Sequence, residues 1–131
     1  MLALKYTVRW QIAGLMFLVL TLSGAMLPEI PFWSIDPQAA FKISDKGLHI
    51  ISFTFLAAWF SGQYSRLSYW RIAVGLFAFG ALIEIFQSMV NYRSAEWLDL
   101  TADAAGIAAG LIIAHMGLGG WSLRLEQWLE Q

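Results

Sequence analysis

Four apolar runs, each close to the length that crosses a bilayer, dominate this chain: Trp10 to Leu27, Gly47 to Gly62, Ile72 to Val90 and Leu98 to Leu118. A hydrocarbon layer about 30 Å thick takes roughly 20 helical residues at about 1.5 Å each. The second run is short, but reaches about 20 residues when Lys46 and Tyr64 sit at the interfaces. Pro28 and Pro31 follow the first run, and Gly119-Gly120 closes the fourth. Composition argues against a soluble alternative. Of 131 residues, 59% are hydrophobic and 13% charged, against roughly 45–50% and about 25% in ordinary soluble domains. A single soluble domain of this size cannot bury so much apolar surface. The expected fold is therefore all-α and integral to the membrane: one domain, residues 1–131, built as a four-transmembrane-helix bundle. In the tail, Trp121, Leu125, Trp128 and Leu129 share one helical face, which predicts a short C-terminal amphipathic helix lying in the interface.

Orientation follows from the basic residues. With the N-terminus cytoplasmic, that side holds Lys5, Arg9, Arg66, Arg71 and Arg124, five of the chain's 8 Lys and Arg, and the other side holds Lys42, Lys46 and Arg93. Both termini then face the cytoplasm. Lys5 and Arg9 ahead of an apolar run, with Ser23-Gly24-Ala25 as a small-x-small step, also fit a cleaved signal peptide. The run continues past that step to Leu27, which favours a retained helix. A net charge of -1 gives no reason to expect nucleic acid. With no cysteine there is no thiolate nucleophile or thiolate metal ligand.

Alternating the helices brings the membrane-embedded polar residues to one face. Asp45, Lys46 and His49 open the second helix there, and Glu84 and Gln87 lie near the end of the third. Arg93 follows in a loop, and Asp99 and Asp103 begin the fourth helix. On the other half only His115 is comparable, and it reads as an interfacial residue. Lys46 with His49, and Glu84 with Gln87, are spaced to share a helix face. Gly80 continues the Glu84 face. Asp99, Asp103, Gly106 and Gly110 form one stripe whose lower half is a Gly-x-x-x-Gly step. Small residues let helices approach closely, so the acidic top of the fourth helix is expected to press on a neighbour, with the Glu84 face of the third helix as the candidate. A carboxylate turned to lipid costs roughly 2.5–3.5 kcal/mol at mid-helix. Glu84 and Asp103 should therefore face inward.

These residues carry a resemblance. Asp45-Lys46-Gly47-Leu48-His49-Ile50-Ile51-Ser52-Phe53 resembles the D-K-x-x-H-x-x-x-F signature of the VanZ-like family. Glu84-Ile85-Phe86-Gln87, then Tyr92-Arg93-Ser94 and Asp99, is similar to that family's E-x-x-Q…R…D run, and Gly106 and Gly110 supply its closing Gly-x-x-x-Gly. The similarity covers residues 45–110. One position departs: Asp103 stands where the family usually carries Asn. The resemblance implies a small multi-pass protein of the bacterial inner membrane, in a setting of cell-envelope chemistry and lipoglycopeptide resistance. It brings no established reaction.

Two function classes fit the residues. In the first, Asp45, Lys46, His49, Glu84, Gln87, Arg93, Asp99 and Asp103 form a binding or accessory site for a lipid-linked envelope precursor or another amphiphile. In the second, the cluster is a hydrolase or transferase site acting on a phosphate-bearing lipid headgroup. Glu84 or Asp103 would then be the general base, His49 an acid/base, and Arg93 with Lys46 a phosphate clamp. A small oligomeric transporter is a third reading, without the broken helices or inverted repeats that usually mark one. Imidazole and carboxylates together suit zinc, manganese or magnesium. With no H-E-x-x-H or similar spacing, however, the sequence assigns no metal. The bland reading of the same residues is charge neutralisation among neighbours. The expected partners are the lipid bilayer, one amphiphilic ligand and a second copy of the chain.

Overall fold

A computed structural model describes residues 1–27, 45–92 and 95–131. Arg93, with its expected role, lies outside the described residues, as does the side chain of Asp45. Among the described residues the regular structure is helical. In chain order it comprises α1 (Thr7–Met26), α2 (Asp45–Ser61), α3 (Tyr69–Ser88), α4 (Trp97–Ile113) and α5 (Trp121–Leu129). A single 3₁₀ turn, Arg66–Ser68, leads into α3. Three helical segments are long and apolar enough to cross a membrane: Thr7–Met26, Arg66–Ser88 and Trp97–Leu118.

The packing is inverted relative to a soluble bundle. Val8, Ile12, Leu15, Met16, Val19 and Leu20 are exposed along α1, as are Val74, Phe77, Leu82 and Ile85 on α3. Gln87, Asp99, Asp103, Ser61 and Ser122 are buried almost completely. Water-soluble monomers rarely expose apolar patches beyond a few hundred Å², and they seldom bury acids. Lipid as the outer solvent accounts for both observations. Within the bundle, Phe53, Leu56, Ala57, Ile72, Leu76, Ile83 and Ile107 form the apolar core.

Helices α2 and α4 form the closest pair, and glycine is the reason. A Cβ on Gly106 would stand 2.5 Å from the Ile50 carbonyl oxygen, and one on Gly110 2.5 Å from that of Thr54. Thr54 Oγ1 also donates to the Gly106 carbonyl at 3.1 Å. The glycine seam therefore faces α2. The expected contact, the acidic top of α4 against the Glu84 face of α3, is made where Gly80 abuts the Asp103 carboxylate. Helix α1 docks on the outside of α2, with Gly14 against Phe60 and Trp59 and Phe17 edge-on to Phe55 and Trp59.

Past Ile113 the chain makes a wide turn over Ala114–Leu118, with Gly117 at φ 141°. Gly120, at φ 71°, then starts α5. Residues other than glycine adopt such angles rarely. In α5 the buried positions are Ser122 and Glu126, while Leu125, Trp128 and Leu129 are exposed. Ser122 and Glu126 pack on the protein, and so does Trp121 from the expected apolar face, while Leu125, Trp128 and Leu129 face away. Glu126 accepts hydrogen bonds from the Trp10 indole at 2.7 Å and from the backbone N–H groups of Lys5 at 2.8 Å and Tyr6 at 3.0 Å. Lys5 pairs in turn with Glu130 at 2.7 Å. Trp10, Trp59 and Trp121 pack tilted and edge-on around this junction. The two ends of the chain are thus tied together.

Candidate functional site

Three helix ends converge on the cluster. Four residues separate His49 from the start of α2 and Glu84 from the end of α3, and six separate Asp103 from the start of α4. At about 1.5 Å per residue, these side chains leave the backbone roughly 6–9 Å below the helix ends. Glycine at position 80 leaves room for Asp103, and the seam at Gly106 holds α4 close enough to α2 for the two to share a hydrogen bond.

That bond joins His49 Nδ1 and Asp103 Oδ1 at 2.7 Å. On the other side of the ring, His49 Nε2 lies 3.7 Å from Asp99 Oδ2. Asp99 Oδ1 is 3.3 Å from the Lys46 ammonium, which also pairs with Glu96 at 2.6 Å. Glu84 Oε2 accepts the backbone N–H of Glu96 at 2.9 Å. His49, Glu84, Asp99 and Asp103 are all buried, whereas Lys46 and Glu96 are about half exposed. Among the described residues, the Lys46–Glu96 pair covers the cluster toward the surface.

The covering is not matched by internal satisfaction. Among the described residues, Glu84 Oε1 and Asp103 Oδ2 have no hydrogen-bond partner, and Asp99 Oδ1 faces the Lys46 ammonium outside hydrogen-bond geometry. Leaving one buried acceptor unmade costs roughly 1–3 kcal/mol, and more when it is charged. In addition, one donor atom each from His49, Glu84 and Asp99 lies within 4.8 Å of the other two.

Of the residues expected at the site, the structure thus brings together Lys46, His49, Glu84, Asp99 and Asp103. Gln87 goes elsewhere: its Nε2 donates to the Ala25 carbonyl at 2.9 Å, binding the end of α1 to α3. Glu96 was not among the expected residues, yet it supplies both a backbone donor to Glu84 and a side-chain partner to Lys46. Its position just before the fourth apolar run is the only signal in the sequence. At the far end His115 lies beside the Tyr69 ring, with centroids 5.4 Å apart, and its carbonyl accepts a hydrogen bond from Arg66 at 3.2 Å. It is remote from the cluster, as expected.

The lipid-facing surface and the buried acid–histidine cluster define a helical membrane protein with a polar site built near one end of its bundle. A family model described as VanZ/LLP1 matches residues 5–118. This chain belongs to that family. The match takes in α1 as well as the 45–110 region that carries the recognisable residues. Comparison with curated proteins and with solved structures finds no significant match.

Proposed function

We propose that this protein is a four-span membrane protein of the bacterial inner membrane that binds the polar head of a lipid-linked envelope precursor, or a similar amphiphile, at its outer face. Helices α1, α3 and α4 span, and α2 spans as the fourth once its flanking residues at the interfaces are included. Helix α5 lies in the cytoplasmic interface with Leu125, Trp128 and Leu129 in lipid, and both termini are cytoplasmic. Retention of the first helix is supported by the hydrogen bonds that tie Lys5, Tyr6 and Trp10 to Glu126.

The observation that carries the binding role is the set of buried carboxylate oxygens without hydrogen-bond partners around His49. A network kept only for stability would have its acceptors filled. This one has capacity left over, beneath two half-exposed side chains. The transporter reading has less support. Below Asp103 the space between the helices is filled by Phe53, Leu56, Leu76 and Ile107, so among the described residues no polar path continues downward.

The second reading, hydrolysis or transfer at a phosphate-bearing headgroup, draws on one specific contact. Asp103 at 2.7 Å fixes the ring of His49, as a carboxylate does for a general acid/base histidine. Glu84→Gln and Arg93→Ala, assayed for resistance or envelope-stress function, are each expected to abolish activity while membrane insertion stays intact. Full activity in both variants would make the cluster structural and end the site reading.

A further inference from the structure

We propose that His49 Nε2, Glu84 Oε1 and one oxygen of Asp99 together bind a single divalent cation, of the kind that accepts mixed nitrogen and oxygen ligands, such as Zn²⁺ or Mn²⁺. Ligands about 2.1 Å from a common ion stand roughly 3–4 Å from one another. Donor atoms of these three residues already lie within 4.8 Å of each other, so closing on an ion takes shifts of about an ångström or less.

The far side of each ligand supports the assignment. Metal-binding imidazoles usually hand their other N–H to a carboxylate or carbonyl, and ligating carboxylates are themselves held by donors. Here His49 Nδ1 is held by Asp103 at 2.7 Å, so an ion bound at Nε2 would leave the ring proton on Nδ1, donated to that carboxylate. Glu84 Oε2 is held by the Glu96 backbone N–H at 2.9 Å, leaving Oε1 unpartnered and buried. Asp99 is steadied by Lys46 at 3.3 Å. Every ligand is thus oriented by a neighbour on one atom and presents another to the shared centre. Charge agrees too: two carboxylates neutralise a divalent ion, and Asp103 strengthens the imidazole as a donor.

Three protein ligands leave at least one position for water or for an oxygen of the amphiphile's head. That last step rests on the binding role proposed above; the metal site itself does not.

The test uses the full-length protein, purified in detergent and stripped with a chelator, then titrated separately with Zn²⁺ and Mn²⁺. Metal content after dialysis is read by elemental mass spectrometry, and the unfolding midpoint is followed in parallel. The expected result is about one equivalent bound, with a raised midpoint. Glu84→Gln and Asp99→Asn should each weaken binding by at least about 100-fold, and Asp103→Asn by roughly 10- to 100-fold. Glu130→Gln, at the exposed Lys5 pair on the far end of the bundle, should bind as wild type. The unfolding midpoint of the stripped variants checks that they fold. Wild-type protein that binds less than half an equivalent of either ion overturns the site, as does a folded Glu84→Gln variant that binds normally. A protein that binds metal but no envelope amphiphile would refute the functional reading and leave the metal site standing.

Discussion

The α2–α4 seam gives the most exacting test of this architecture, through Gly106→Ala. The new Cβ would meet the Ile50 carbonyl oxygen at 2.5 Å and Phe53 Cβ at 3.0 Å. Favourable carbon contacts need about 3.5–4.0 Å, and Ile50's partner atom is backbone that no rotamer change can move. Helix α2 must therefore retreat by roughly 0.5–1 Å, a strain typical of overpacked sites at about 1–3 kcal/mol. Replacing glycine by alanine within a helix returns about 1 kcal/mol. The net loss should be about 1–2 kcal/mol when the strain lies toward its upper end. Gly75→Ala is the matched control, because a Cβ there meets nothing within 4 Å, and it should gain up to about 1 kcal/mol. The two variants should then differ by about 2–3 kcal/mol, on the order of 30- to 150-fold in the folding equilibrium. Denaturant titration of both in one detergent, followed by tryptophan fluorescence, reads the difference. Equal stability of Gly106→Ala and Gly75→Ala would refute the close seam and, with it, the account of how Asp103 reaches His49.

Two further predictions concern the cytoplasmic end and the topology. Burial raises the Glu126 carboxyl, but hydrogen bonds from the Trp10 indole and the Lys5 and Tyr6 backbone, with the Lys5 charge, outweigh it and hold the group below its ordinary 4.5. A group depressed on folding stabilises the fold above its unfolded value and loses that contribution as pH falls through the folded one. Acidification below about pH 4.5 should therefore loosen α5 and change the emission of the Trp10–Trp59–Trp121 cluster, and Glu126→Gln should flatten this acid transition. An unchanged transition in Glu126→Gln would assign it to another acid. For topology, reporter fusions after Gln131 and within the Pro28–Asp45 loop should report opposite sides of the membrane, and an intact-mass measurement should find the first helix present. Both fusions on one side would overturn the four-span topology.

Much of this could be read from the sequence because polar residues inside apolar runs are costly. Glu84 and Asp103 had to face inward, and alternation of the helices sent them, with Asp99, to one end. The partner of the glycine stripe was harder to foresee. Spacing shows that Gly106 and Gly110 share a face with Asp103, but not which neighbour that face meets; the answer is α2, because Ile50 and Thr54 present bare backbone there. Gln87 shares a face with Glu84, yet its amide is drawn to Ala25, one of the last carbonyls of α1, left open where the helix ends. Glu96 and Glu126 escaped notice for a common reason. A charged residue in a loop or tail reads as solvated, and only the packed chain shows that it satisfies donors contributed by distant segments.

Asp103 shows where fold and chemistry part. An amide at this position could still accept the His49 Nδ1–H through its oxygen, so the geometry at 2.7 Å does not require a charge. Its other atom faces Gly80 without a partner, so an amide nitrogen there would be no better satisfied than the carboxylate oxygen. Packing is thus indifferent to the exchange, while the chemistry of the ring is not. A full negative charge on Nδ1–H makes Nε2 a stronger base and a stronger metal ligand, and an amide gives much less of either. Because the exchange removes a buried charge with one unmade bond, the metal-free Asn variant should be no less stable, while its metal affinity should fall. That separation is what a site residue, as opposed to a structural one, ought to show.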